Sequence, residues 1–156
     1  MRLRHCLLAE ETGHQAGRRL LAELYREETG EALPEIRITD RGKPYFPDSP
    51  YFFSITHTRH HAFCALSRRP VGIDAEELDR RVPPGLAKKV LSRQEWDQYA
   101  KAEDPQRALL TFWVLKEARV KLTGEGLRGY PNQTAFSLSD PAVRETEGCL
   151  LAILEE

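Results

Sequence analysis

The stretch VGIDAEEL, Val71 to Leu78, alternates like a strand yet carries three carboxylates in four residues. Asp and Glu are depleted in strands, so their presence asks for a chemical reason. On a pleated strand Val71, Ile73 and Ala75 share one face and Gly72, Asp74 and Glu76 the other, which sets the two carboxylates roughly 7 Å apart at Cα. Like charges that close resist joint ionisation unless something positive lies between them. A second stripe occurs in WVLKEARVK, where Trp113, Glu117 and Lys121 are spaced i, i+4, i+8 and line one helix face. Lys116 lies about 100° further round. In isolation Glu117 and Lys121 form a surface pair worth about 0.2–0.5 kcal/mol. Brought against the strand, Glu117 joins Asp74 and Glu76 as a third oxygen ligand for a hard cation. Mg2+ fits best, because it prefers oxygen and keeps waters for a phosphate substrate. Lysines beside such a site would hold phosphate oxygens as compact charges.

Two further stretches suit phosphate chemistry. RGKPYF places Lys43 in a turn made rigid by Pro44, and FSITHT ends a strand with Thr56 and His57. A solvated turn lysine and a hairpin-end histidine are the plain alternatives. Other signals carry less. GEGLRG, from Gly124 to Gly129, has the spacing of a dinucleotide fingerprint but follows a helix where that motif must follow a strand. His57, His60 and His61 lack a cysteine or carboxylate at zinc-ligand spacing. The phosphate-binding loop G-x-x-x-x-G-K-[ST] and the nucleophile elbow G-x-S-x-G are both absent.

The elements that must position these groups follow from periodicity and breakers. Strands are expected at 3–8, 36–39, 51–56, 62–67, 71–76, 134–139 and 148–154, and helices at 14–28, 84–91, 93–102 and 106–122. Strands cluster in hairpins, which predicts an α+β fold with mostly antiparallel sheets. The chain also says something twice. Each long helix ends in Thr-Gly-Glu-x-Leu, at Gly30 and Gly124, and each leads to Phe-Ser-apolar-(Thr/Ser) and a second apolar strand holding Cys64 or Cys149. Two similar lobes, residues 1–70 and 71–156 of a single domain, would pack about a pseudo-twofold axis with the cleft at their junction.

With 156 residues, 40% hydrophobic and 30% charged, and a net charge of −1, the chain has the size of one domain and no global field for nucleic acid or an acidic membrane. No apolar run approaches the roughly 20 residues of a membrane span, and the start lacks the marks of a secretory signal. Three widely spaced cysteines argue for a reducing compartment, so a cytoplasmic location is expected and the NQT at Asn132 is read as a chance sequon. A duplicated chain holding both halves of its site is expected to be a monomer.

Taken in order, GKPYF, FSITHT, VGIDAEEL and FWVLKEARVKLTGEGL resemble the 4′-phosphopantetheinyl transferases of the surfactin-synthetase-activating type. The resemblance covers roughly residues 15–140 and implies that family's two-lobed fold. It implies transfer of 4′-phosphopantetheine from coenzyme A to a serine of an acyl or peptidyl carrier protein, releasing 3′,5′-ADP. By position, Asp74, Glu76 and Glu117 would hold Mg2+, with Glu117 also the base for the serine hydroxyl, and Lys116 and Lys121 would contact the phosphates. Lys43, Pro44, Thr56 and His57 would hold the nucleotide end, Arg18 the 3′-phosphate, and Glu95 would stand near the site. Ser54 and Thr56 depart from the family's usual Asn and Ser but keep polar groups.

RRVPPGLAKKVLSR, Arg80 to Arg93, has five basic residues and no acidic one. It is expected either to be a solvated basic helix packed on the core or to dock an acidic carrier helix through Arg80, Lys88 and Lys89, with Leu86, Val90 and Leu91 partly exposed to the partner. Two rival functions remain open from sequence: a catalytically inactive module binding carrier proteins or coenzyme A, and an unrelated Mg2+-dependent phosphohydrolase.

Overall fold

The computed structural model describes residues 1–125 and 133–156. Most of the GEGLRG stretch, the second Glu-x-Leu and Asn132 therefore lie outside the described residues. Strand β1 (Arg2–Leu7) leads to helix α1 (Gly13–Thr29), the short strands β2 (Arg37–Ile38) and β3 (Pro44–Tyr45), and the hairpin β4 (Phe52–His57) and β5 (His61–Ser67). Then follow β6 (Val71–Glu77), the single turn α2 (Ala87–Val90), α3 (Arg93–Ala100), α4 (Pro105–Thr123) and the hairpin β7 (Val143–Thr146) and β8 (Cys149–Glu155). The fold is α+β with antiparallel sheets, as the hairpin pattern predicts.

The first large sheet has the order β1-β5-β4 and the other β6-β8-β7. In each, a strand enters a long helix, and the returning hairpin lays its second strand beside the first. Both long helices close on a left-handed glycine whose N–H returns to the carbonyl four residues back: Gly30 to Arg26 and Gly124 to Val120, each at 2.8 Å. Their starts are set locally too. Thr12 and Gln15 form a capping box on α1, and Asp104 caps α4 with Pro105 in the first turn.

Alternation along β6 sorts its side chains as the sequence requires. Val71, Ile73 and Ala75 join Phe63 and Ala65 of β5 and Leu151 of β8 in an apolar layer between the two sheets. The other face meets α4, which is buried along most of its length. The first sheet's outer face is covered by Leu20, Leu21 and Leu24 of α1. Where the sheets meet, side chains replace a ladder: Ser54 Oγ accepts from the Ile73 N–H at 3.0 Å and Thr56 Oγ1 from the Ala75 N–H at 3.4 Å.

Three local expectations need correction. Residues 134–139 are not a strand; Phe136 and Leu138 give their N–H groups to the Glu95 and Gln98 side chains of α3, at 2.8 and 3.0 Å. Helix side chains thus supply what a neighbouring strand would, and the strand before β8 is Val143–Thr146. Cys149 opens β8 opposite Glu77 whereas Cys64 sits mid-strand in β5, so the two cysteines are not equivalent. The 84–91 helix is a 3-10 turn at Pro84–Leu86 followed by α2, and its apolar residues Val90 and Leu91 are buried against α4 rather than offered to a partner. All three cysteines are free, and no described helix is long and apolar enough to cross a membrane.

Gly72 fixes the seat of α4. A Cβ built on it would lie 2.1 Å from the Ala118 carbonyl oxygen and 2.4 Å from the Leu122 nitrogen. Because those are helix backbone atoms, Gly72→Ala should destabilise the fold by about 1–3 kcal/mol or more, read from urea unfolding. Unchanged stability would show that α4 can lift off β6 freely.

Candidate functional site

With α4 seated on Gly72, its polar stripe faces the carboxylates of β6. Asp74 is only 6% exposed. Its Oδ1 accepts from Lys121 Nζ at 2.7 Å and from the Thr56 hydroxyl at 3.0 Å, joining α4, β4 and β6 on one oxygen. Asp74 Oδ2 is buried with no hydrogen-bond partner, and so is Glu117 Oε1. Glu76 accepts from Trp113 Nε1 at 3.3 Å, and Arg80 Nη1 lies 2.6 and 2.7 Å from its two oxygens. Among the described residues no three His, Cys, Asp or Glu side chains are gathered into a ready metal cluster. Asp74 and Glu76 instead each hold a basic side chain.

The electrostatics record the crowding. Burial, the largest cause, pushes the Asp74, Glu76 and Glu117 carboxyls above their usual range. The Asp74 charge adds to the rise at Glu76 and at Glu117, while Lys121 and Arg80 oppose it at Asp74 and Glu117. The donor set is therefore one cation short: three carboxylates face one ammonium and one guanidinium, with two buried oxygens unserved.

Beside this cluster lies a cavity of about 260 Å³ between the turn before β3, strand β4 and the end of α4, lined by Arg41, Lys43, Pro44, Ser54 and Lys121. Lys43 donates through Nζ to the Leu122 carbonyl, one of the unpaired acceptors at the end of α4. Burial holds its ammonium below the ordinary lysine range. The larger cavity, about 650 Å³ at the other end of α4 near Arg107 and Asp140, is remote from these carboxylates.

The remaining sequence candidates fall in different places. His57 is exposed at the end of β4, its ring packed so tightly on Gly13 that a Cβ there would lie 2.4 Å from the ring. Arg18 is exposed on α1 and does not line the cavity with Lys43. Lys88 and Lys89 are exposed on α2. Lys116 is 2% exposed, its Nζ lies 2.8 Å from Glu95 Oε2, it donates to the Thr134 carbonyl, and it sits over the Phe136 ring. Burial draws its ammonium below the usual range. Glu95, fully buried, also caps α3 through the Ser92 N–H at 2.7 Å and holds Phe136. Sequence reasoning missed the Arg80–Glu76 contact and the Ser54 hydroxyl at the seam. The signal for the first was available, since a half-buried strand glutamate requires a counter-cation.

Residues 70–152 match the 4′-phosphopantetheinyl transferase superfamily, and the chain belongs to that family. It is 35% identical over 96 residues to a 4′-phosphopantetheinyl transferase of Bacillus subtilis, covering 58% of this chain and 41% of that one. It is 31% identical over 115 residues to the 4′-phosphopantetheinyl transferase HetI of Nostoc sp., covering 68% and 48%. It is also 46% identical over 73 residues to a holo-[acyl-carrier-protein] synthase of Photorhabdus laumondii, covering 43% and 56%. The chain thus spans about half the length of the curated relatives it matches.

Two outcomes follow from this geometry. Glu95→Ala removes the carboxylate that serves the buried Lys116 ammonium and the Ser92 and Phe136 N–H groups, so urea unfolding should show a loss of about 3–5 kcal/mol; a loss below 1 kcal/mol would mean the pair is dispensable. For Asp74, a folded pKa above the unfolded value means the folded protein keeps a proton that the unfolded chain releases. Stability from this group is full below the unfolded pKa and is lost as pH rises through the folded one. The stability of wild type minus that of Asp74→Asn, measured in chelator, should therefore fall as pH rises from about 4. A difference that rises instead would show Lys121 dominating over burial.

Proposed function

We propose that this protein is a Mg2+-dependent 4′-phosphopantetheinyl transferase of the surfactin-synthetase-activating type, moving 4′-phosphopantetheine from coenzyme A to a carrier-protein serine. The observation that carries the reading is the buried Thr56–Asp74–Lys121 cluster with Glu76 and Glu117 alongside, short of one cation and open to a cavity bearing Lys43. The matching connection order of the two sheets within one chain supports a two-lobed single domain, residues 1–70 and 71–156, over an assembly of separate halves. A cytoplasmic monomer is the state proposed with it.

The residues fit a divalent ion by their chemistry. Asp74 Oδ2 and Glu117 Oε1 are buried acceptors without donors, and burial raises all three carboxyls despite the nearby Lys121 and Arg80. Asp74, Glu117 and Glu76 would hold it, and when bound it would offset charge on the pyrophosphate of coenzyme A. Lys121 would give its free donors to the same phosphates, and Thr56 keeps Asp74 oriented. Lys43, Pro44, His57 and Arg18 would bind the nucleotide end. Glu117 would take the proton from the carrier serine as its Oγ attacks the phosphorus bearing the pantetheine arm, while the bond from that phosphorus to 3′,5′-ADP breaks. An acidic carrier helix would meet Lys88, Lys89 and Arg80, an attraction that acts mainly on association rate and weakens with salt.

Incubation with coenzyme A, Mg2+ and a panel of apo carriers tests the reading. A carrier mass gain of one phosphopantetheine is expected, with kcat falling roughly 10²–10⁴-fold in Glu117→Gln while coenzyme A binding changes less. Release of inorganic phosphate with no carrier modification would identify a phosphohydrolase, and binding without turnover of any carrier an inactive module.

A further inference from the structure

The Arg80–Glu76 pair is not explained by a docking role for Arg80. Its guanidinium lies within 2.7 Å of both Glu76 oxygens, while Glu76 is 12% and Arg80 49% exposed at the side chain. The acid is sunk in the site and the base reaches in from solvent. Arg80 follows the end of β6, in a turn closed by its own N–H on the Glu77 carbonyl at 2.9 Å. Only the long side chain must move for the pair to open. When it opens, Glu76 keeps a partner, because Trp113 Nε1 donates to its Oε1 at 3.3 Å. Lys121 differs: it is 31% exposed and bonded to an Asp74 oxygen that also holds Thr56.

We propose that Arg80 is a displaceable internal counter-ion, a guanidinium that occupies Glu76 until a divalent cation takes its place. The inference rests on the proposed metal site and names its regulation. Charge counting supports it. With Asp74, Glu76 and Glu117 all ionised, as ligands of a metal must be, their three negative charges stand against two positive ones on Lys121 and Arg80, leaving −1. A divalent ion entering with Arg80 in place makes the cluster +1, whereas its entry with release of Arg80 makes it neutral, the favoured state for a desolvated site. Metal binding and the Arg80–Glu76 pair are then mutually exclusive, and each ion bound delivers one free guanidinium to the surface beside the site. That coupling is reciprocal: whatever anionic surface engages the released Arg80 must tighten the hold on the metal by the same factor.

Mn2+ binding to the full chain, without coenzyme A or carrier, tests this through the paramagnetic resonance signal of the free ion. Arg80→Ala should bind Mn2+ about three- to tenfold more tightly than wild type. Arg81→Ala removes the same charge from the neighbouring residue and should change affinity by less than twofold. In a Glu76→Gln background the Arg80→Ala gain should vanish, since there is no pair left to break. If wild type binds Mn2+ but Arg80→Ala binds no more tightly than Arg81→Ala, the counter-ion role is overturned and the metal site stands. Persistence of the gain in Glu76→Gln overturns it also, by showing a diffuse charge effect. If neither wild type nor Arg80→Ala binds Mn2+ at millimolar concentration, the metal site falls and the inference with it. Binding by Arg80→Ala alone would support both.

Discussion

The approach of α4 to β6 at Gly72 is the constraint on which the rest of this structure hangs. A helix and a strand normally meet through side chains; here the Ala118 carbonyl and the Leu122 amide occupy the space where a side chain would begin. The gain is reach. Lys121 contacts Asp74 at 2.7 Å and Trp113 reaches Glu76, so both ends of the helical stripe touch the carboxylate strand. A helix held a side-chain layer further away would leave Lys121 short of Asp74 and the carboxylates open to water, where their crowding would be screened.

The second requirement is that β4 arrive at the same place, and hydroxyls achieve this. Ser54 and Thr56 take up the Ile73 and Ala75 amides on the edge of β6 that β8 leaves free. An edge left open there would be both an unsatisfied backbone and a site for wrong pairing. Thr56 then uses its proton on Asp74, so one side chain closes the seam and orients the central carboxylate. Lys43 does the corresponding work at the helix end, binding the last turn of α4 to the turn that carries Pro44.

Much of this was legible in the sequence because it rests on local periodicity. The period of two along VGIDAEE separated the apolar face from the carboxylate face, and the i, i+4, i+8 spacing put Trp113, Glu117 and Lys121 on one stripe. Capping residues set the helix ends to within two or three residues. What escaped depends on partners distant in the chain. A helical wheel gives the angle of Lys116 but not that a buried glutamate waits there. The 134–139 stretch alternates like a strand, yet its hydrogen bonds go to Glu95 and Gln98, which no alternation of its own could announce. FSIT and FSLS look like copies, but the strand topologically matching β4 is β7. Arg80 sat in a basic run and was read with its neighbours rather than with the acid it faces.

The apolar layer between the sheets draws Phe63 and Ala65 from one half, Val71, Ile73 and Ala75 from the linking strand, and Cys149 and Leu151 from the end of the chain. Its residues are therefore contributed by segments that a cut at residue 70 would separate. Each fragment would expose its share of that layer together with an unpaired sheet edge. Halves that repeat each other in sequence thus share one apolar layer in space, and neither can bury its part of that layer without the other.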